Sequence, residues 1–195
     1  MSDDFLDPDA PRPDARAPCS DDATRGGARP GGAYPGRARA GGLEVATALA
    51  PGQLIARGVC RALSAEHDFA CAEEVTLATG LRVDVMALGP KGEIWVVECK
   101  SCRADFVSDG KWQGYLDWAD RFFWAVGPDF PTELLPERTG LILADAWGAE
   151  IVRMGPETRL AGARRKALTL RLARLAARRV QAARDPDAAA RRGLA

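Results

Sequence analysis

The stretch Leu81–Ser101, LRVDVMALGPKGEIWVVECKS, decides the fold. It reads as two apolar strands joined by a Gly-Pro-Lys-Gly turn, and each strand carries charge where a buried strand should not. Asp84 interrupts Val83, Val85, Met86 and Ala87, while Glu98 and Lys100 close the run Ile94-Trp95-Val96-Val97. Side chains alternate along a strand, so Glu98 and Lys100 point to one face and Cys99 to the other. A carboxylate inside an apolar strand is costly unless it is paired or binds a cation. Two carboxylates and a lysine at one sheet edge point to a site for a divalent metal.

That reading depends on register. A two-residue turn at Pro90-Lys91 pairs Leu88 with Glu93 and turns Glu98 away from Asp84. A five-residue connection from Gly89 to Glu93 pairs Leu88 with Ile94 and sets Asp84 opposite Glu98. A one-residue slip flips every side chain, so only one arrangement holds. The metal reading requires the odd-length loop or a bulge. The plainer alternative leaves Asp84 at a strand end and Glu98 in a solvated pair with Lys100.

Outward from this hairpin, the chain has 195 residues, enough for one domain with tails. Its apolar fraction of 47% and five Trp supply a core. Cysteines 19, 60, 71, 99 and 102 are too few and scattered for a secreted disulfide framework, so a reducing, cytoplasmic setting is expected. No apolar run is long enough to span a membrane, and the acidic, Pro-rich start has no signal-peptide core. The zero net charge hides an asymmetry. From Arg159 onward there are eleven Arg or Lys against two Asp, so an acidic body carries a basic C-terminal arm.

Residues 1–42 hold thirteen Gly plus Pro and hardly any large apolar side chains, and read as a disordered tail. A helix is expected from Leu43 or Pro51 to Glu66, since Leu54, Ile55, Val59, Ala62 and Leu63 recur at helical spacing, with Arg57 and Arg61 on the other side. A strand follows at about 69–77, then the hairpin. Ser101 is expected to cap one helix running to Asp120, weakened by Gly110 and Gly114. Arg121–Val126 reads as a buried strand, residues 129–136 as a short turn of helix, and 141–144 with 150–153 as a last hairpin. A final helix over 163–183 places Leu168, Leu172, Leu175 and Val180 on one side and Arg171, Arg174 and Arg178 on another. This order predicts an α/β mixed sheet flanked by helices, with a domain over 43–158 and a basic helix and tail over 159–195. The strand-to-helix junction at 98–104 is the natural place for a site.

Asp84, a hairpin turn, then Glu98-Cys99-Lys100 and a following helix resemble the PD-(D/E)XK nuclease superfamily. The longer strings RVDVMAL, ECKSCRADFVSDGKWQGY, ADRFFWAVGPDFP, LLP and TGLILAD resemble the narrower MmcB-like DNA repair family over Gln53 to Arg153. The resemblance implies a restriction-endonuclease-like fold, with core order helix, three strands, helix, strand. It also implies a role in DNA damage repair and a metal-dependent phosphodiesterase site. Carried over, Asp84 and Glu98 ligate Mg²⁺ or Mn²⁺ with the Cys99 carbonyl, and Lys100 holds the attacking water. Lys111 on the following helix either extends the site, as a helix Lys or Gln does in this superfamily, or is a solvated helix lysine. DNA is the expected partner; other repair proteins and a homodimer are left open. Val83 stands where the superfamily motif has proline.

Other residues carry alternatives. Glu74 either points into the cleft or belongs to an exposed pair with Glu73. Asp105 in a first helical turn opposes the helix dipole. Asp120 calls for a specific bond to Arg121 or Lys111. His67, the only histidine, leaves no His-based chemistry. Arg171, Arg174 and Arg178 either contact phosphates or form the solvated side of a packed helix. Trp112, Trp118, Phe122, Phe123 and Trp124 read as core rather than as a base-stacking platform. Two other function classes remain: a non-catalytic DNA-binding repair module on the same fold, and a thiol-disulfide oxidoreductase built on Cys99-Lys100-Ser101-Cys102.

Overall fold

Pro51 opens the first helix, α1 (Pro51–Glu66), in the computed structural model, which describes residues 49–187. The expected tail over 1–42 and the helix start at Leu43 lie outside the described residues. Proline suits a first helical position because its missing N–H would be unpaired there. Gln53 Oε1 accepts the Ala50 N–H at 3.0 Å and closes the first turn. Ile55, Ala56, Val59, Ala62 and Leu63 form the buried side.

Six strands follow: β1 (Ala70–Thr76), β2 (Arg82–Leu88), β3 (Ile94–Lys100), β4 (Arg121–Val126), β5 (Gly140–Ala144) and β6 (Ala149–Arg153). They lie in one sheet in chain order. β1–β2, β2–β3 and β5–β6 are antiparallel, whereas β3–β4 and β4–β5 are parallel. The chain is thus an α/β mixed sheet flanked by helices, of restriction-endonuclease-like form. All seven residues of β3 are buried, as expected for a strand with paired neighbours and both faces covered.

Alternation divides the core. Val85, Ala87, Trp95, Val97, Cys99, Phe123, Ala125 and Ile142 pack against α1. Met86, Ile94, Val96, Phe122, Trp124, Val126 and Leu141 line the other face, under the C-terminal helix α4 (Gly162–Arg184). Leu168 and Leu172 of α4 are buried in that layer, each contributing about 1.5–3 kcal/mol. α4 is packed on the sheet, with Arg171, Arg174 and Arg178 exposed on its outer side. Val180 departs from the expected apolar side: it is exposed.

The single helix expected over 101–120 is two short ones, α2 (Arg103–Val107) and α3 (Gln113–Leu116). Ser101 is not its cap; Cys102 holds that position, and its side chain makes no capping hydrogen bond. Asp109-Gly110 breaks the helix, and Asp109 Oδ1 accepts the Lys111 N–H at 3.1 Å. An aspartate bonding its own backbone two residues on favours a turn over a helix. No helix among the described residues is long and apolar enough to cross a membrane.

Candidate functional site

The β2–β3 register pairs Leu88 with Ile94 and Val85 with Val97. This is the five-residue connection, closed by the Gly89 N–H on the Glu93 carbonyl (2.8 Å) and by Gly92 at φ +81, a conformation that favours glycine. Asp84 therefore stands opposite Glu98. Their backbones and carboxylates interlock: the Asp84 N–H donates to Glu98 Oε1 (3.2 Å), and the Cys99 N–H donates to Asp84 Oδ2 (2.8 Å).

Glu98 and Lys100 are 1% and 2% exposed, so the solvated pair of the plainer alternative does not form. Lys100 Nζ lies 3.7 Å from Glu98 Oε2 and 2.6 Å from Asp109 Oδ2. Burial, followed by the nearby Asp84 charge, pushes the Glu98 carboxyl well above the usual range, against the opposing pull of Lys100. Burial alone would lower the Lys100 ammonium, but the Asp109 hydrogen bond and the Glu98 charge outweigh it and hold it above its ordinary value. On β4, Trp124 pairs in register with Glu98, and its ring centre lies 5.7 Å from Lys100 Nζ. The Trp124 indole is fully buried and its Nε1–H has no acceptor, a cost of about 1–3 kcal/mol.

Asp109 was not among the sequence candidates. The Asp-Gly dipeptide was a turn signal inside a supposed helix, and only that break brings its carboxylate back over β3. Asp109→Asn is expected to lower stability by roughly 1.5–3 kcal/mol in urea unfolding at pH 7, the range for a hydrogen bond to a charged group. Because the Lys100 value is raised by folding, that contribution is complete below the unfolded lysine value of about 10.4 and is lost as pH rises through the higher folded one.

The remaining candidates fall apart in space. Lys111 is exposed on the α2–α3 connection, and Asp109 rather than Lys111 sits against Lys100. Asp105 lies in the first turn of α2, where its Oδ2 accepts the Ser101 N–H at 3.2 Å. Glu74 sits between the paired positions Glu73–Val85 and Val75–Val83, beside Asp84, at the unusual φ of +53. Its side chain is exposed and lies 3.7 Å from Arg82. Asp120 bonds neither Arg121 nor Lys111 but Arg165 of α4, at 2.6 and 2.7 Å. Phe122, Phe123 and Trp124 are core. Cys99 is buried and packed on the α1 face, which removes the dithiol reading: its side chain points away from the helix end that would activate it. A 340 Å³ cavity between α1 and the β5–β6 hairpin contains none of the candidate site residues.

Asp84 and Glu98 offer two facing carboxylates, with burial first and the Asp84 charge second raising the Glu98 carboxyl, a donor set that suits a hard divalent cation. Among the described residues no group of three or more His, Cys, Asp or Glu is arranged to hold a metal. Water and phosphate would complete such a shell, as is usual for Mg²⁺.

No curated protein matches the sequence. The solved structure of the SPO1766 protein of unknown function from Silicibacter pomeroyi is 64% identical, with a TM-score of 0.70; the match covers 71% of this chain and 94% of that one. The model of the family described as DNA repair protein MmcB-like matches residues 45–187, through β6 and the C-terminal helix as well as the hairpin. The chain therefore belongs to the MmcB-like DNA repair family.

Proposed function

We propose that the protein is a metal-dependent deoxyribonuclease of the PD-(D/E)XK type, hydrolysing DNA phosphodiester bonds. The observation that carries this reading is the half-buried Asp84 facing the buried Glu98, with Lys100 on the same face. Asp84 and Glu98 would hold Mg²⁺ or Mn²⁺ with the Cys99 carbonyl. The ion would supply a lowered water pKa and charge neutralisation at phosphorus. The Cys99 N–H fixes the Asp84 carboxylate, and the Asp84 N–H fixes Glu98, so both are oriented before a substrate arrives. Lys100 holds the water and stabilises the developing charge on the phosphate. Since Lys100 is buried against Asp109, phosphate reaches it only when Asp109 and the α2–α3 connection withdraw. The unpaired Trp124 Nε1–H is a spare donor beside the pair. The exposed Arg171, Arg174 and Arg178 contribute phosphate contacts at the surface.

The closed Lys100–Asp109 pair favours a second reading, a DNA-binding repair module without turnover. Calorimetry with Mg²⁺ and Mn²⁺ on wild type and on Asp84→Ala with Glu98→Ala separates them, with the same samples incubated with duplex, nicked, branched and single-stranded DNA. Metal binding lost in the double variant, and cleavage that needs Lys100, is the expected result. Salt-sensitive DNA binding that needs the three arginines, with neither metal binding nor cleavage, establishes the module instead.

A further inference from the structure

At the carboxyl edge of the sheet, two strands away from Lys100, two arginines stack on an exposed tryptophan. Register runs from Lys100 to Val126 and from Val126 to Leu143, and the turn after Ala144 carries Trp147. Strands lie about 4.8 Å apart, so the backbone at Leu143 is about 10 Å from that at Lys100. Asp145 shapes the turn, its Oδ1 accepting the N–H groups of Trp147 (2.7 Å) and Gly148 (2.9 Å). Gly58 lets α1 rest directly on it, because a Cβ there would overlap the carbonyl oxygens of Asp145 and Gly148. That close approach brings Arg57 and Arg61, one turn apart on α1, to 5.2 and 5.7 Å from the Trp147 ring centre.

Two features of this cluster are unspent. Arg57 Nη1 is buried with no hydrogen-bond acceptor, and among the described residues neither arginine is held in an ion pair. A desolvated donor without a partner is unfavourable and is satisfied by an arriving anion. Trp147 remains 36% exposed, leaving indole surface open. Guanidinium groups beside an open indole match the two parts of a nucleotide: the phosphate on the arginines, the base on the ring. An acidic protein segment offers only the first.

We propose that Arg57, Arg61 and Trp147 form a second nucleic-acid contact, which holds a DNA strand as it leaves the Glu98–Lys100 site around the edge of the sheet. The proposal rests on the reading of the chain as a protein that acts on DNA, but not on hydrolysis. It places the strand within a few nucleotides of the catalytic edge and on the α1 side, away from the outer face of α4.

The test uses the full chain and a short fluorescent oligothymidylate, with binding followed by anisotropy and by quenching of tryptophan emission. Trp147→Ala and Arg61→Ala are each expected to weaken binding roughly tenfold, the scale of one lost base stack. Arg57→Ala with Arg61→Ala flattens the dependence of log K on log salt by about 1.4, the release expected for two phosphates on a single strand. Trp147→Phe keeps binding and removes most of the quenching. Divalent-cation binding at Asp84 and Glu98 stays unchanged in all of these variants. Arg61 is exposed, so its variant reports binding even if Arg57→Ala unfolds. Binding that needs Trp147 in a protein that never cleaves DNA upholds this contact and removes the hydrolase. Unchanged oligonucleotide affinity in Trp147→Ala and Arg61→Ala overturns it. So does polyglutamate binding that is as tight and as sensitive to Trp147, which would make the cluster a site for acidic protein.

Discussion

Glu98→Gln is expected to abolish divalent-cation binding and DNA cleavage while raising the unfolding temperature at pH 7. Glu98 is 1% exposed and faces Asp84 across the hairpin, and both burial and that charge favour its protonated form. Glutamine has the same shape, keeps an oxygen for the Asp84 N–H, and carries no charge to desolvate. It gives up only a 3.7 Å contact to Lys100, which retains Asp109. Because burial and the facing Asp84 charge make ionisation of Glu98 unfavourable in the fold, removing that charge is expected to stabilise at neutral pH, each 1 kcal/mol being roughly 2–4 °C for a chain of this size. The sign follows from a carboxyl whose folded value is raised. Its favourable contribution is present below the unfolded value of about 4.3 and is lost as pH rises through the folded one. The gap between variant and wild type should therefore widen from pH 4 upward in thermal melts. A variant that melts lower and still binds Mn²⁺ would make Glu98 a structural acceptor. Stability given up at a site is the usual signature of function there.

Asp120→Ala is expected to cost about 3–5 kcal/mol, the range for removing one partner of a buried ion pair. Asp120 is 5% exposed and accepts four hydrogen bonds: from the Ile94 N–H (2.7 Å), the Leu160 N–H (2.9 Å) and both Arg165 Nη atoms (2.7 and 2.6 Å). It ties the start of β3, the approach to α4 and the first turns of α4 to one carboxylate. Burial would raise that carboxyl, yet the Arg165 hydrogen bond and the Leu160 and Ile94 N–H groups outweigh it and hold it below the usual range. With a depressed folded value, the stabilisation is present above the unfolded value of about 3.9 and is lost as pH falls through the lower folded one. Urea unfolding of wild type and Asp120→Asn should differ most near neutral pH and converge in acid. A loss below about 1 kcal/mol would mean that Leu168 and Leu172 hold α4 without the latch. Since α4 carries Arg171, Arg174 and Arg178, its loosening is also expected to weaken any DNA contact that they make.

The hairpin was legible because local physics specifies it. Alternating apolar residues set the strands, and Asp84 and Glu98 reduced the hairpin to two registers, of which the one that faces the two carboxylates forms. The same holds for the apolar spacing of α1, whose start at Pro51 is one of the two expected, and for the continuous apolar run of β4. The helix over 101–120 failed because apolar spacing at Phe106, Trp112 and Tyr115 persists across a break. Those side chains reach one core layer from two short helices as well as from one long helix. Chain position offered Arg121 and Lys111 to Asp120, whereas the actual partner, Arg165, arrives only when α4 folds back over the sheet.

From sequence alone came the strands and the identity of the residues at the sheet edge, since these follow from side-chain alternation over a few residues; the structure chose between the two hairpin registers. Tertiary packing alone decided what those residues touch. Asp109 closes on Lys100, Arg165 on Asp120, and Arg57 and Arg61 on Trp147, each across 9 to 90 positions of chain. Such pairings depend on how elements stack, and charges on separate elements carry no local periodicity that would reveal their partners.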